Sequence, residues 1–199
     1  MKKKVMTVLL ALFLTAVVLT GCSESSSGEE VEVTEENEDN ADVEEAGTEA
    51  AQEGTDDLTE YAAAGVGTLY LPEGFEVDEE AEPGMENMTI TAYYKGDIYI
   101  VLLRMDESVY SAAGVEMPTD LADLSSRAGI RQPLPDGTDF EEDSYGNLSA
   151  QYVYEEDGRQ VYYTLLESEE AYGCLYIYYP EEELSAEEAA LWASLAVVE

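Results

Sequence analysis

Residues 23–60 contain sixteen acidic side chains, no basic one and no aromatic one. A segment of that composition, rich in Glu, Ser, Gly and Thr, buries too little apolar surface to offset its conformational entropy. Any folded core must therefore be built from residues 61–199, a length that suits a single domain. The acidic segment itself reads as a self-repelling tether, with a relaxed reach on the order of 35 Å and a stretched reach of about 130 Å. That length fits a stalk through a cell-wall layer.

Ahead of the tether come Lys2, Lys3 and Lys4, an uncharged apolar run from Val5 to Leu19, then Thr20, Gly21 and Cys22. This is the layout of a secretory signal, and the run is shorter than the roughly 20 residues of an ordinary spanning helix. Leu19-Thr20-Gly21-Cys22 resembles the lipobox of bacterial lipoproteins. The resemblance implies cleavage before Cys22, a diacylglyceryl thioether on its sulfur, and a location on the extracytoplasmic face of the cell membrane, held there by lipid. The alternative is an uncleaved signal anchor in which Cys22 is incidental. The domains expected are a signal peptide over 1–21, lipidated Cys22 with an acidic tether over 22–60, and one domain over 61–199.

If Cys22 carries lipid, Cys174 is left without a disulfide partner, and the fold must rest on its core. Cys174 lies in the strand-like run Tyr172 to Tyr179, where it reads either as a small buried apolar residue or as a reactive thiol. The formal net charge is −38, and residues 61–199 alone hold thirty acidic against five basic side chains. Nucleic acid is excluded as a partner, because phosphate binding needs Lys and Arg to displace counterions. Anionic headgroups repel the domain as well, so it should stand off the membrane that tethers it.

From Val66 onward, aromatic and β-branched runs alternate with turn signals. Gly67 to Val77 reads as a strand, a Pro/Gly turn and a re-entry; Met88 to Tyr94 and Asp97 to Met105 read as a hairpin around Lys95-Gly96. Both faces of the second arm are apolar, which predicts a central strand covered on both sides. After a loop, residues 118–129 predict a short helix with Thr119 as N-cap and Gly129 as its stop. Asn147 to Glu155, Gln160 to Glu167 and Tyr172 to Tyr179 predict a tyrosine-rich antiparallel meander. Ser185 and Glu188 form a capping box that opens a last helix.

This order predicts an α+β domain, an antiparallel sheet packed against one or two short helices. Gly67-Thr68-Leu69-Tyr70-Leu71-Pro72-Glu73-Gly74-Phe75, followed by antiparallel strands and a final helix, resembles a PsbP-like domain. A cystatin-like or other α+β roll fits the same order. The PsbP-like resemblance implies a binding or assembly module without catalysis, and no motif carries a functional residue over.

The chain contains no histidine, which removes Ser-His and Cys-His nucleophile pairs and histidine-ligated zinc. No phosphate-binding glycine loop occurs. Two clusters remain. Asp136, Asp139, Glu141 and Asp143 lie in one acidic loop, where oxygen ligands would converge on calcium or simply face solvent; the ladder of an EF-hand is lacking. Tyr152 and Tyr154, and likewise Tyr176 and Tyr178, share a strand face. They form either an aromatic strip for a cell-wall ligand or an envelope protein, or cross-strand packing beneath the helices with hydroxyls reaching solvent. The leading expectation is a non-enzymatic binding module; a calcium-responsive domain and a carboxylate-dependent hydrolase are the alternatives.

Overall fold

The computed structural model describes residues 57–85 and 87–199. The expectations for the signal segment 1–21, for Cys22 and for the tether as far as residue 56 lie outside the described residues. In chain order the elements are β1 (Leu58–Ala63), β2 (Gly67–Pro72), β3 (Glu76–Val77), β4 (Thr89–Lys95) and β5 (Ile98–Asp106). Helices α1 (Glu107–Ala113), α2 (Leu121–Ser126) and α3 (Ala128–Arg131) come next. The chain then runs through β6 (Glu141–Glu142), β7 (Leu148–Val153), β8 (Gln160–Glu167), β9 (Ala171–Tyr179), α4 (Ala186–Ser194) and β10 (Val197–Val198). The class is α+β, with four short helices among the described residues where one or two were expected. The first strand starts at Leu58, so Leu58, Thr59 and Glu60 belong to the domain and not to the tether.

The strands form two antiparallel sheets, a small one in the order β1-β2-β10 and a large one in the order β3-β4-β5-β9-β8-β7-β6. The hairpin β4–β5 and the meander β7–β8–β9 pair as their alternation predicts. Strands β5 and β9 lie side by side in the middle, and all nine residues of β9 are buried. A strand reads as continuously apolar when both of its faces are covered. Here one face, with Ile100, Leu102, Leu175 and Ile177, packs under β2 and α4 through Leu69, Leu71 and Trp192. The opposite face, with Val101, Leu103, Leu165 and Tyr176, packs under α1, α2 and α3 through Val109, Tyr110, Leu124 and Ile130.

The capping box of α4 forms as read, with the Ser185 and Glu188 side chains each accepting from the other's backbone N–H. Helix α1 falls where the sequence reads as a loop. It has only seven residues and buries only Val109 and Tyr110, too few to set up a period, so its caps carry the signal. Asp106 accepts from the Ser108 amide and hydroxyl and from Arg104, and Gly114 closes the helix in the left-handed region. The next helix is capped by Asp120, whose side chain accepts from the Asp123 N–H at 2.7 Å, and not by Thr119. Nor does Gly129 stop it. The break comes at Arg127, which is extended at ψ 132°, and Gly129 lies buried inside α3. Among the described residues no helix is long and apolar enough to cross a membrane.

Strand β10 ties the chain's end to β2, with Val198 opposite Gly67. A Cβ on Gly67 would meet the Val197 carbonyl oxygen at 2.1 Å, and the obstacle is backbone. Gly67→Ala is therefore expected to push β10 off the small sheet and cost about 1–3 kcal/mol, the range of overpacked sites. A urea denaturation midpoint unchanged from the parent protein would contradict this close approach.

Candidate functional site

The structure withdraws the tyrosine strip from solvent. Tyr152, Tyr176 and Tyr178 are buried in the apolar cluster beneath α1–α3, and Tyr154 is half-buried against it. Tyr176 stacks on Tyr163 with ring centroids 4.2 Å apart, and Tyr154 meets Tyr178 edge-on at 5.6 Å. The strip is therefore core and not a ligand platform, because the helices and the loop carrying Leu134 and Phe140 cover that face. The expectation of solvent-directed hydroxyls also fails at two meander tyrosines. Tyr163 donates to the Ile130 carbonyl at 3.2 Å, and Tyr172 to the Pro118 carbonyl at 3.1 Å. Both hydroxyls pin the covering segment onto the sheet.

The acidic loop is dispersed as well. Asp139 pairs with Arg131 at 2.6 Å, and Glu141 is exposed on β6. Asp143 accepts from the Tyr145 and Asn147 amides, from the Asn147 side chain and from the Tyr162 hydroxyl. Burial pushes the Asp143 carboxyl up, but these donors outweigh it and hold the group below the usual carboxylate range. Asp143 thus clamps its own turn to β8. Asp136 sits with Arg131 and Thr138 along a separate polar crevice. Among the described residues no three His, Cys, Asp or Glu side chains gather as a metal would need, so the expected convergence of Asp136, Asp139, Glu141 and Asp143 is corrected.

What the structure does bring together is a cavity of about 120 Å³ between the large sheet and the helices α1–α3. Its floor is Leu103 and Met105 of β5 with Cys174 and Tyr176 of β9, and α1, α2 and α3 contribute Val109, Tyr110, Leu124 and Ile130. Met85 and Met88 close one side from the segment before β4, where Asn87 turns the chain at φ 67°. Left-handed backbone of this kind is tolerated by Asn better than by most residues. Among the lining residues Val115, which is 38% exposed, and Ala128 are exposed, and Met85, Ala113 and Arg127 are half-buried, so the cavity reaches the surface beside the end of α1 and the α2–α3 junction, with Met85 at its rim.

No protein-family model matches the chain, and no curated protein matches its sequence.

The chemistry available at the cavity is therefore read from its own walls. They hold no carboxylate. Cys174 is fully buried, and loss of solvation pushes its thiol up to about 12, so it stays protonated and unreactive near neutral pH. That settles the two readings of Cys174 in favour of packing. Arg127 is the one charged residue on the wall. Its Nε and Nη2 donate to Asp123 at 3.1 and 2.7 Å, and its Nη1 to the Glu116 carbonyl at 3.2 Å.

Of the ligand-binding and metal residues proposed from sequence, only Tyr176 contributes to this site, from the floor beside Cys174. The methionines are what sequence reasoning passed over. All four methionines of residues 22–199 pack in the cluster under α1–α3, and three of them line the cavity. They come from a loop and a strand, so no periodicity joins them.

Proposed function

We infer that this protein is a lipid-anchored extracytoplasmic binding module without a catalytic role, and that its ligand seat is the cavity beneath α1–α3. One observation carries the reading: between the large sheet and α1–α3 the domain keeps an apolar hollow with an opening, walled in part by three methionines. Closed cores pack to near crystal density, so a hollow reached from solvent is the exception that calls for an occupant. Methionine walls adapt to the shape of what enters, because thioether chains have several soft torsions and a polarisable sulfur. The lipobox-like Leu19 to Cys22 and the acidic tether supply the address, holding the domain on the cell membrane's outer side. Likeness to PsbP-like domains belongs to the same proposal, supported by the segment through Phe75, the hairpin, the meander and the last helix.

For the two alternatives, no three acidic side chains gather among the described residues, and the walls of this cavity hold no carboxylate. Calcium binding needed carboxylates that converge, and hydrolysis needed two acidic side chains in one pocket. The test is retention of small apolar compounds from a membrane extract by the full-length chain, compared with Ala113→Phe, which fills the mouth. Enrichment by the parent and loss in the variant are expected. Equal retention by both would remove the cavity from the reading, and unchanged processing with membrane retention of Cys22→Ala would remove the anchor.

A further inference from the structure

The volume and charge of the cavity narrow its occupant. About 120 Å³ approaches the hollow of roughly 150 Å³ that binds benzene in an apolar core. That is room for one ring or a short alkyl chain, not for a long acyl chain. The wall offers thioethers, a protonated thiol, aliphatic groups and the rings of Tyr110 and Tyr176.

Charge decides between a neutral ligand and an acid of the same shape. Each of the three guanidinium nitrogens of Arg127 already donates within the protein. Its partner Asp123 also accepts from the Thr119 amide at 3.2 Å at the start of α2, so an anion approaching Arg127 meets a fixed carboxylate on the Nε and Nη2 edge. Residues 61–199 carry thirty acidic side chains against five basic ones, and the long-range field therefore also opposes anions. A carboxylate among the thioether, aliphatic and aromatic groups of this wall would lose its hydration, and the one cation beside it, Arg127, already has its charge balanced by Asp123. Building on the ligand seat assigned above, we propose that the cavity selects an uncharged compound of one ring or a short alkyl chain and rejects the carboxylate of equal shape.

The experiment uses the full-length chain with labelled methionine methyl groups, titrated with toluene and, separately, with benzoate. Met85, Met88 and Met105 line the cavity, whereas Met117 packs in the same cluster without lining it and serves as the internal reference. Toluene should shift the three cavity signals in a saturable way and leave Met117 in place, with benzoate at least about 100-fold weaker. Ala113→Phe should abolish the toluene shifts; Val115→Trp, at a more exposed position, should do the same while keeping the parent melting behaviour. Benzoate binding within about tenfold of toluene would overturn charge selection and leave the seat standing. Absence of shifts with both toluene and dissolved xenon would overturn the seat itself.

Discussion

Tyr176→Ala is expected to destabilise the domain by about 3–5 kcal/mol, the cost of deleting a large aromatic from a packed core. Tyr176 is 1% exposed, stacks on Tyr163 at 4.2 Å and extends the aromatic column to Tyr178 at 6.2 Å. Its neighbours in β5 and β8, Val101 and Tyr163, are fixed by pairing on both sides and have little freedom to collapse into the space. A loss of that size is a large part of the roughly 5–15 kcal/mol that holds such a domain together. The measurement is the urea midpoint against the parent protein. Had Tyr176 belonged to a solvent-facing strip, truncation would move stability by no more than about 0.5 kcal/mol. A change that small would put the packing of the meander in doubt.

The second large effect comes from alkali. Burial raises the pKa of Tyr163 and Tyr176 well above the ordinary tyrosine value; it also raises Tyr152 and Tyr178, and takes Cys174 to about 12. In each case the folded state keeps a proton that the unfolded chain gives up sooner. The stabilisation is complete below the unfolded values, about 8.5 for the thiol and about 10 for the phenols, and is lost as pH rises toward the folded ones. Each such group removes about 1.4 kcal/mol per pH unit in that window. Acting together they are expected to unfold the domain within about two pH units above 10. Tyrosinate absorbance from these residues should then appear in one cooperative step with the loss of circular dichroism. Stepwise tyrosinate absorbance with the dichroism intact would show that these phenols reach solvent in the native state.

The elements legible in the sequence are those whose signals are local. The extent of β8 was read directly from its apolar run, and the Ser185–Glu188 box from a spacing that closes on itself within one turn. Strand β5 was read as central because both of its faces are apolar, and it pairs with β4 on one side and β9 on the other. The elements missed are short or gain their order from distant partners. Strands β1 and β10 exist because β2 offers each of them an edge, and the residues of β10 lie some 130 positions away from that edge. Helix α1 depends on two caps and two buried side chains, with no repeat to announce it.

Alternation, turns and composition are enough to specify the α+β class, the antiparallel pairing of the longer strands and the excess of acidic side chains. What covers each side of the tyrosine-rich strands depends on long-range packing, since alternation assigns residues to a face without saying what lies above it. Packing α1–α3 over that face turned Tyr152, Tyr176 and Tyr178 into core. Turn geometry directed Asp143 to Tyr162. The same packing left the methionine-walled hollow, whose residues share a wall only because β5, β9, the helices and the segment before β4 meet there.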